Sequence, residues 1–519
     1  MFYDYEPLPV RPAPELSGGS SAPEVLIVGA GPIGLAAAID LALHGIRSTV
    51  LDAKTQVSVG SRAICWAKRT LEVFDRLGVG ERMVAKGVTW QVGRIYHGED
   101  EVYSFDLLPE EGHKMPAFIN LQQYYVEEYL IDRCADFPDL IDLRWGAEVT
   151  GIRQDVTRAT LTVDSPDGGY EISAPWALAC DGARSPVRRM TGLEFPGVTF
   201  SDRFLIADIR MQADLPAERR FWFEPPFHSG KTALLHKQPD DIWRVDLQLG
   251  PDADVEAEMQ PDAVRPRIAK AVQGREFELD WVSIYAFHCR KLDRFVHGRV
   301  IFAGDSAHIV SPFGARGGNG GIQDVDNLCW KLAMVIRGEA PAALLGSYDR
   351  ERQAASVENI ENSTRSTRFM MASSAEERGF RDAALALARS EDFARKVINS
   401  GRLSTAFDYR GLGLGTPGPD APVGEGAVCP DAPLADGWLL NRLGGGFGLL
   451  AIGTPGPEAV AGIDVLHLPA DGRLAHRHGP GVFLIRPDQH IAARWPDFDP
   501  ARIAKALSRA TAHPEMVTP

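Results

Sequence analysis

No two cysteines in this sequence stand at a CxxC spacing, and the six present (Cys65, Cys134, Cys180, Cys289, Cys329, Cys429) follow no metal-ligand pattern. A thiol-redox pair and a cysteine-held metal are therefore not expected, and the pattern suits a cytoplasmic enzyme whose thiols stay reduced. HExxH, GxSxG and Walker loops are also missing, which removes support for metal hydrolysis, serine nucleophiles and nucleotide hydrolysis. A basic excess is absent: 55 Lys and Arg face 70 Asp and Glu, a formal charge of -15, which argues against nucleic acid or anionic lipid as partner. The most apolar early stretch, Val25 to Leu43, is broken by Gly29, Gly31, Pro32, Gly34 and Asp40, and no basic n-region precedes it. Neither a signal peptide nor a membrane span is expected there.

What remains is an ordinary globular composition, 45% hydrophobic and 24% charged, with a mean hydropathy of -0.14. At 519 residues it predicts two or three domains. Residues 1–22, rich in Pro, Ser and Gly, read as a tail that either drapes over the body or moves freely. From Glu24 the pattern is strand, helix, strand: EVLIV is a buried parallel strand, Ile33 to Leu43 has helical spacing, and Ser48 to Leu51 is the next strand. Gln123 to Cys134 reads as a helix. Alternating runs at 204–211, 221–224, 232–236, 242–249 and 281–288 predict a mostly antiparallel sheet. A buried strand at Val300 to Ala303 is followed by a glycine-rich loop and a helix from Ile322 to Ile336, and helical sequence continues around 350–400. The Pro/Gly-rich run 411–433 reads as a linker before a small C-terminal unit.

Gly29-Ala30-Gly31-Pro32-Ile33-Gly34 follows a strand and opens a helix, and Asp52 ends the next strand 18 residues beyond Gly34. This is the dinucleotide fingerprint in its required context. Gly29 permits the turn, Gly31 lets a pyrophosphate approach the backbone, and Gly34 lets helix and sheet pack closely. The helix N-terminus supplies partial positive charge, and Asp52 can accept from ribose hydroxyls.

Two further motifs select the cofactor. Ala179-Cys180-Asp181-Gly182-Ala183-Arg184-Ser185-Pro186-Val187-Arg188 and Arg299-Val300-Ile301-Phe302-Ala303-Gly304-Asp305-Ser306-Ala307-His308 resemble the DG and GD motifs of the flavoprotein aromatic hydroxylases, the group that includes para-hydroxybenzoate hydroxylase. The loop Pro312-Phe313-Gly314-Ala315-Arg316-Gly317-Gly318-Asn319-Gly320-Gly321 resembles that group's flavin-facing segment, although Arg316 stands where many relatives have glutamine and Gly318 where a bulkier apolar residue is common. Arg316 reads either as positive charge near the flavin or as a surface partner. Ser61-Arg62-Ala63, and Gln123 with Glu127, add two more points of likeness. Trp438-Leu439-Leu440, Gly446 to Leu450, Arg486-Pro487-Asp488 and Ala492 to Trp495 resemble the extra thioredoxin-like domain of the phenol and 3-(3-hydroxyphenyl)propionate hydroxylase branch, here without CxxC.

The resemblance implies an α/β protein. Its Rossmann-like FAD-binding domain would be discontinuous (24–87, 118–195, 296–400), with an antiparallel substrate-binding sheet domain inserted (88–117, 196–295). The 411–433 linker would then lead to a thioredoxin-like domain at 434–519. It implies bound FAD, NAD(P)H as a transient co-substrate, and O2 that adds at flavin C4a to give a hydroperoxide that hydroxylates a phenolic ring; dimers are usual. Epoxidation or Baeyer-Villiger oxidation of a polyketide is the alternative outcome, and a flavin- or ligand-binding protein without turnover is a further one. FAD contacts carried over are Gly29, Gly31, Gly34, Asp52, Arg62, Gln123, Asp181, Asp305, Gly318 and Asn319, with no metal. Candidates at the reaction centre are the Pro312 carbonyl, Arg244 reaching back to the flavin, and His236 and Tyr285 as partners of a phenol. Arg244 also reads as an edge-strand surface residue, and His236, Tyr285 and His288 as structural ones.

Overall fold

The computed structural model describes residues 2–398 and 403–513. The ends of the expected 350–400 helical stretch and of the C-terminal unit, at 399–402 and 514–519, lie outside the described residues. The strand Val25–Val28 is buried at every position, which is why it reads as an unbroken apolar run. It pairs in parallel with Ser48–Asp52 on one side and Trp176–Ala179 on the other. Ile141–Trp145 and Val300–Phe302 extend this layer, and Val296–His297 closes it antiparallel. The helices Pro32–Leu43 and Gly317–Ile336 pack on each other beside this sheet.

The second layer is an eight-stranded sheet. Its order is His308–Ile309, Glu278–Lys291, Gly197–Arg210, Ile242–Gly250, Thr232–Lys237, Arg219–Phe223, Val92–His97, Asp100–Asp106, antiparallel except where Arg219–Phe223 meets Val92–His97. Its first strand, His308–Ile309, directly follows the Gly304–Ser306 turn, so the two layers are joined by continuous chain at the GD motif.

Three segments bear on the expectations. The N-terminal tail drapes over the body: Phe2 N donates to Asp280 (2.6 Å), Leu8 N to the Thr55 carbonyl (2.6 Å), and Arg144 pairs with Glu15 (2.8 Å). The helix expected from Ile322 begins at Gly317, inside the glycine run. Glycine is a poor helix former, but a Cβ on Gly321 would lie 2.6 Å from Ile33 Cδ1, so close helix packing overrides propensity there. The 411–433 run lies against the C-terminal sheet, bridging Thr416 to Ala493 and Val428 to His490. That sheet has the order Ala459–Val460, Ile463–Leu468, Gly448–Ile452, Gly481–Ile485, Ile491–Trp495, with the second and third strands parallel.

A buried ionic network ties this C-terminal unit to the body. Glu351 accepts from Lys331 (2.6 Å), from Asn327 (2.7 Å) and from both terminal nitrogens of Arg486 (2.7 and 3.0 Å). Burial alone would raise the Glu351 pKa, but Arg486 and Lys331 hold it down to about 2. Its stabilisation is thus complete above its ordinary value of 4.5 and lost as pH falls towards 2. Glu351→Ala takes the carboxylate partner from the buried Lys331 and leaves Arg486 with Asp488 alone, and we expect it to cost about 3–5 kcal/mol in urea unfolding at neutral pH. A change within error would show that the network relaxes without cost.

Candidate active site

The fingerprint turn is built by steric need. Gly29 has φ +102°, and a Cβ there would meet the Cys180 carbonyl oxygen at 2.6 Å; a Cβ on Gly34 would lie 1.9 Å from the Gly29 oxygen. Gly31 differs, because a Cβ there would meet nothing within 4 Å, so open space lies over the helix N-terminus. Among the described residues the amides of Ile33 and Gly34 find no acceptor, while Leu35 N already bonds to Gly31 O (3.0 Å). Asp52 accepts from Ala30 N (2.7 Å) and Lys54 N (2.8 Å), which pins the turn beside the next strand.

The DG and GD motifs are bonded to each other. Arg188 donates to Ser306 O (2.8 Å) and Ala183 O (2.7 Å), while the Ser306 hydroxyl donates to Ala179 O (2.6 Å). Asp181 accepts from Val187 N (2.9 Å), and its other oxygen is buried without a protein partner. The half-buried Asp305 carboxylate accepts no hydrogen bond from a described protein group. Burial raises its pKa, and the charges of His308 and the exposed Arg62 oppose that.

Behind them the helix Gly317–Ile336 presents its N-terminus. Gly317, Gly318 and Asn319 have amides without acceptors among the described residues. The Asn319 side chain is taken up in fixing the strand Cys65–Ala67: it donates to Cys65 O (2.8 Å) and accepts from Ala67 N (2.9 Å). Gln123 is also bonded to protein, accepting from Ala63 N (3.2 Å) and donating to Glu127 (2.8 Å), so it holds the loop that carries Arg62. Rows of free amides over open space, with unpartnered carboxylate oxygens further along, fit a diphosphate followed by a hydroxyl-bearing chain.

One face of the eight-stranded sheet covers this region. Asp208, Arg244 and His236 are direct cross-strand partners, and Ile206, Asp246, Leu234 and Phe221 form the adjoining row. Arg244 lies on an interior strand and is buried, which excludes the edge-strand surface reading. Asp208 grips it (2.8 Å), and its Nη2 reaches the Ser61 carbonyl. His236 is 3% exposed with Nδ1 unpartnered; burial first, then Arg219 and Arg244, push its pKa well down, so it is a neutral imidazole. Tyr285 pairs with Phe204 on a strand four places from Arg219–Phe223, roughly 19 Å away at ordinary strand spacing. His288 bonds to Thr199 (2.9 Å).

A pocket, open at its mouth, lies between this face and the helix Leu345–Met371. Phe105, Phe221, Phe223, Phe313 and Phe369 wall it, with Arg219 and Arg316 as its cations. Arg316 is buried, bonded to Asn359 (2.9 Å), and faces the pocket rather than the surface. Pro312 is exposed and its carbonyl accepts from Ala315 N (3.1 Å), closing the turn that presents Phe313 and Gly314 to the pocket. Arg219 and Asp246 carry no sequence motif. Only their alternation with Phe221 and Arg244 could have pointed to them.

A family model described as "FAD binding domain" matches residues 22–363. A flavin-dependent monooxygenase of Mycobacteroides abscessus is 34% identical, covering 64% of this chain and 72% of its own. The 3-(3-hydroxy-phenyl)propionate/3-hydroxycinnamic acid hydroxylase of Burkholderia cenocepacia is 31% identical over 80% of this chain and 76% of its own. The solved structure of the flavin-dependent monooxygenase PieE with FAD and substrate superposes at a TM-score of 0.80, with 23% identity, over 95% of this chain and 99% of that one. This chain therefore belongs to the FAD-binding family of the aromatic-hydroxylase type and is an FAD-dependent monooxygenase. Among the described residues no helix is long and apolar enough to cross a membrane, and no group of three or more His, Cys, Asp or Glu side chains is placed to hold a metal ion.

The unpartnered Asp305 carboxylate generates a direct test. Asp305→Ala should retain FAD tenfold or more weakly, since a charge-assisted bond contributes about 1.5–3 kcal/mol. Flavin per protein after gel filtration measures it, and full occupancy would remove Asp305 from the cofactor site.

Proposed function

We propose that this monooxygenase hydroxylates a phenolic aromatic ring at the expense of NAD(P)H and O2. The observation that carries the reading is the pocket: five phenylalanines around a cavity with a buried arginine at one side, bounded by the turn that leads into the Gly317–Ile336 helix. Aromatic walls of this kind hold a planar ring and exclude water, and Arg219 favours the ionised form of a phenol, the form that donates electrons to an incoming oxygen. The substrates that the relatives' names print, a hydroxyphenylpropionate among them, are of this class.

In this reading Gly29, Gly31, Gly34 and Asp52 hold the adenosine diphosphate half of FAD, with Arg62 on its phosphate side. Asp181 and Asp305 accept from the sugar and ribityl hydroxyls, and Gln123 orders the loop beside them. The amides of Gly318 and Asn319 face the flavin pyrimidine edge, where the helix dipole favours negative charge. Bound FAD, reduced by NAD(P)H, supplies electrophilic oxygen from O2. Arg244 sets the Ser61 end of the flavin-facing loop, the Pro312 turn aims the pocket wall, and His236, held neutral, offers a hydrogen bond without a charge. Tyr285 stands outside the pocket lining and packs, in this reading, against the phenylalanine cluster of the same sheet face. The topology of the C-terminal sheet supports a thioredoxin-like unit that packs rather than exchanges thiols. The free cysteines support a cytoplasmic location, and a homodimer is the expected assembly.

The test is turnover. The purified yellow protein is offered a panel of phenols while NADH and NADPH oxidation, hydroxylated product and H2O2 are followed. At least one phenol should stimulate oxidation with product in excess of peroxide. No stimulation by any aromatic would sink the reading, and ring-intact oxygenated products would redirect it to epoxidation or Baeyer-Villiger chemistry.

A further inference from the structure

Three buried polar atoms on the pocket-covering face of the sheet have no protein partner: Arg219 Nη1, His236 Nδ1 and Asp246 Oδ1. Leaving one such atom unmade costs about 1–3 kcal/mol, so three in one patch mark a place shaped for a ligand rather than for the apo fold. Register sets them on one face of three neighbouring strands, with Arg219 lining the pocket and His236 and Asp246 farther in along the same face. His236 stands directly across from Arg244, Asp246 follows Arg244 by two residues and therefore shares its face, and Arg219 precedes the pocket residue Phe221 by two.

The charges of the patch are unevenly matched. Arg244 is neutralised by Asp208, to which it bonds through two nitrogens (2.8 Å each). Arg219 has no carboxylate within ion-pair reach among the described residues. Its neighbour Glu218 is engaged by Arg94 and Arg220 instead. Facing the patch from the other layer is the Cys65 thiol, which burial keeps protonated and which donates to Asn120 (3.2 Å).

We propose that Asp246 is the proton acceptor for a ring hydroxyl of the substrate, with Arg219 beside it to hold the resulting oxyanion and His236 Nδ1 completing the hydrogen-bond set. This rests on the hydroxylase reading and specifies its substrate: an aromatic that presents a hydroxyl, rather than a carboxylate or an ether, to this side of the pocket. The step is a simple proton transfer. The substrate O–H bond breaks, its electron pair stays on oxygen as a phenolate paired with Arg219, and the proton forms an O–H bond on Asp246. The carboxylate is suited to it, because burial, resisted by Arg244, reinforced by Asp208 and resisted by Arg219, lifts its pKa to about 6. It is ionised above that pH, yet a much better base than a surface aspartate.

Binding to oxidised holoenzyme, read as perturbation of the flavin absorbance, tests this without turnover. The probes are 2-naphthol and its methyl ether, 2-methoxynaphthalene. Wild type should bind the naphthol about tenfold tighter than the ether well above pH 6, a bonded group against a lost one, and the preference should vanish as pH falls through about 6. Asp246→Asn should bind the ether as wild type does, with a naphthol-to-ether ratio independent of pH. Asp246→Glu, which keeps the carboxylate, should restore the pH dependence at altered affinity. Equal binding of both probes to wild type, or a pH limb that survives in Asp246→Asn, overturns the Asp246 role and leaves the hydroxylase reading standing. Failure of both probes to perturb the flavin of wild type at any pH overturns both together.

Discussion

Asp324 is the point on which the two layers depend. It is fully buried on the helix Gly317–Ile336, and one oxygen accepts from Gly304 N (2.8 Å) and His308 Nε2 (2.7 Å) while the other accepts from Arg352 Nε (2.6 Å). Burial alone would raise its pKa; His308 and Arg352 hold it down to about 2, so it stays charged under all ordinary conditions. That single carboxylate sets the GD turn, the strand that begins the eight-stranded sheet and the helix whose N-terminus faces the cofactor region. Arg352 carries the constraint onward to Gly320 O (3.0 Å) and the Tyr409 hydroxyl (2.9 Å), into the segment that leads to the C-terminal unit. A lone buried charge would be prohibitive, and this one is tolerated because each lone pair in use has a donor.

Around that point the backbone is brought unusually close. Gly304 has φ +65°, and a Cβ there would approach Ile33 Cγ1 at 3.0 Å, while Gly321 meets the same isoleucine from the other side. The fingerprint helix and the loop helix therefore share one side chain as spacer, and both present free amides towards the cofactor region. Positive potential for an anionic cofactor arises here from backbone amides as well as from Arg62, which is how a chain of net charge -15 provides it.

Much of this was legible in the sequence, wherever a local pattern has only one steric solution. The GxGxxG run after EVLIV, and Asp52 at the end of the next strand, fix a turn that no other residues can make, and the structure has strand, helix and strand at those positions. The helix at Gln123–Cys134 was equally plain. The start of the long helix at Gly317 was hidden, because glycine argues for a loop and only the Ile33 contact, far away in sequence, reverses that. The pocket was the least legible part. Arg219, Asp246 and Arg316 gain their roles from cross-strand register and from a turn closed by Ala315 at φ +54°, and neither is written in composition or periodicity. Arg244 could be named from its neighbours, but its burial depends on Asp208, 36 residues away on the adjacent strand.

The loop that carries Arg62 shows how these constraints converge. Three bodies anchor it: Tyr5 of the N-terminal tail receives Gly60 N (3.0 Å), Glu127 and Gln123 of the cofactor layer receive Ser58 N (2.6 Å) and Ala63 N (3.2 Å), and Arg244 of the sheet reaches Ser61 O. The tail and the sheet layer each supply one of these bonds, and the cofactor layer supplies the rest. Trp281 of the sheet also fills the space that a side chain at Gly60 would occupy, its ring within 2.3 Å of where a Cβ would stand. No anchor alone is strong, since a hydrogen bond contributes about 1 kcal/mol net. Their value lies in direction: bonds from three bodies constrain one short loop, and Arg62 is held on the Asp305 side of the cofactor region. The geometry of the loop that carries Arg62 is thus shared between the assembled layers rather than owned by one of them.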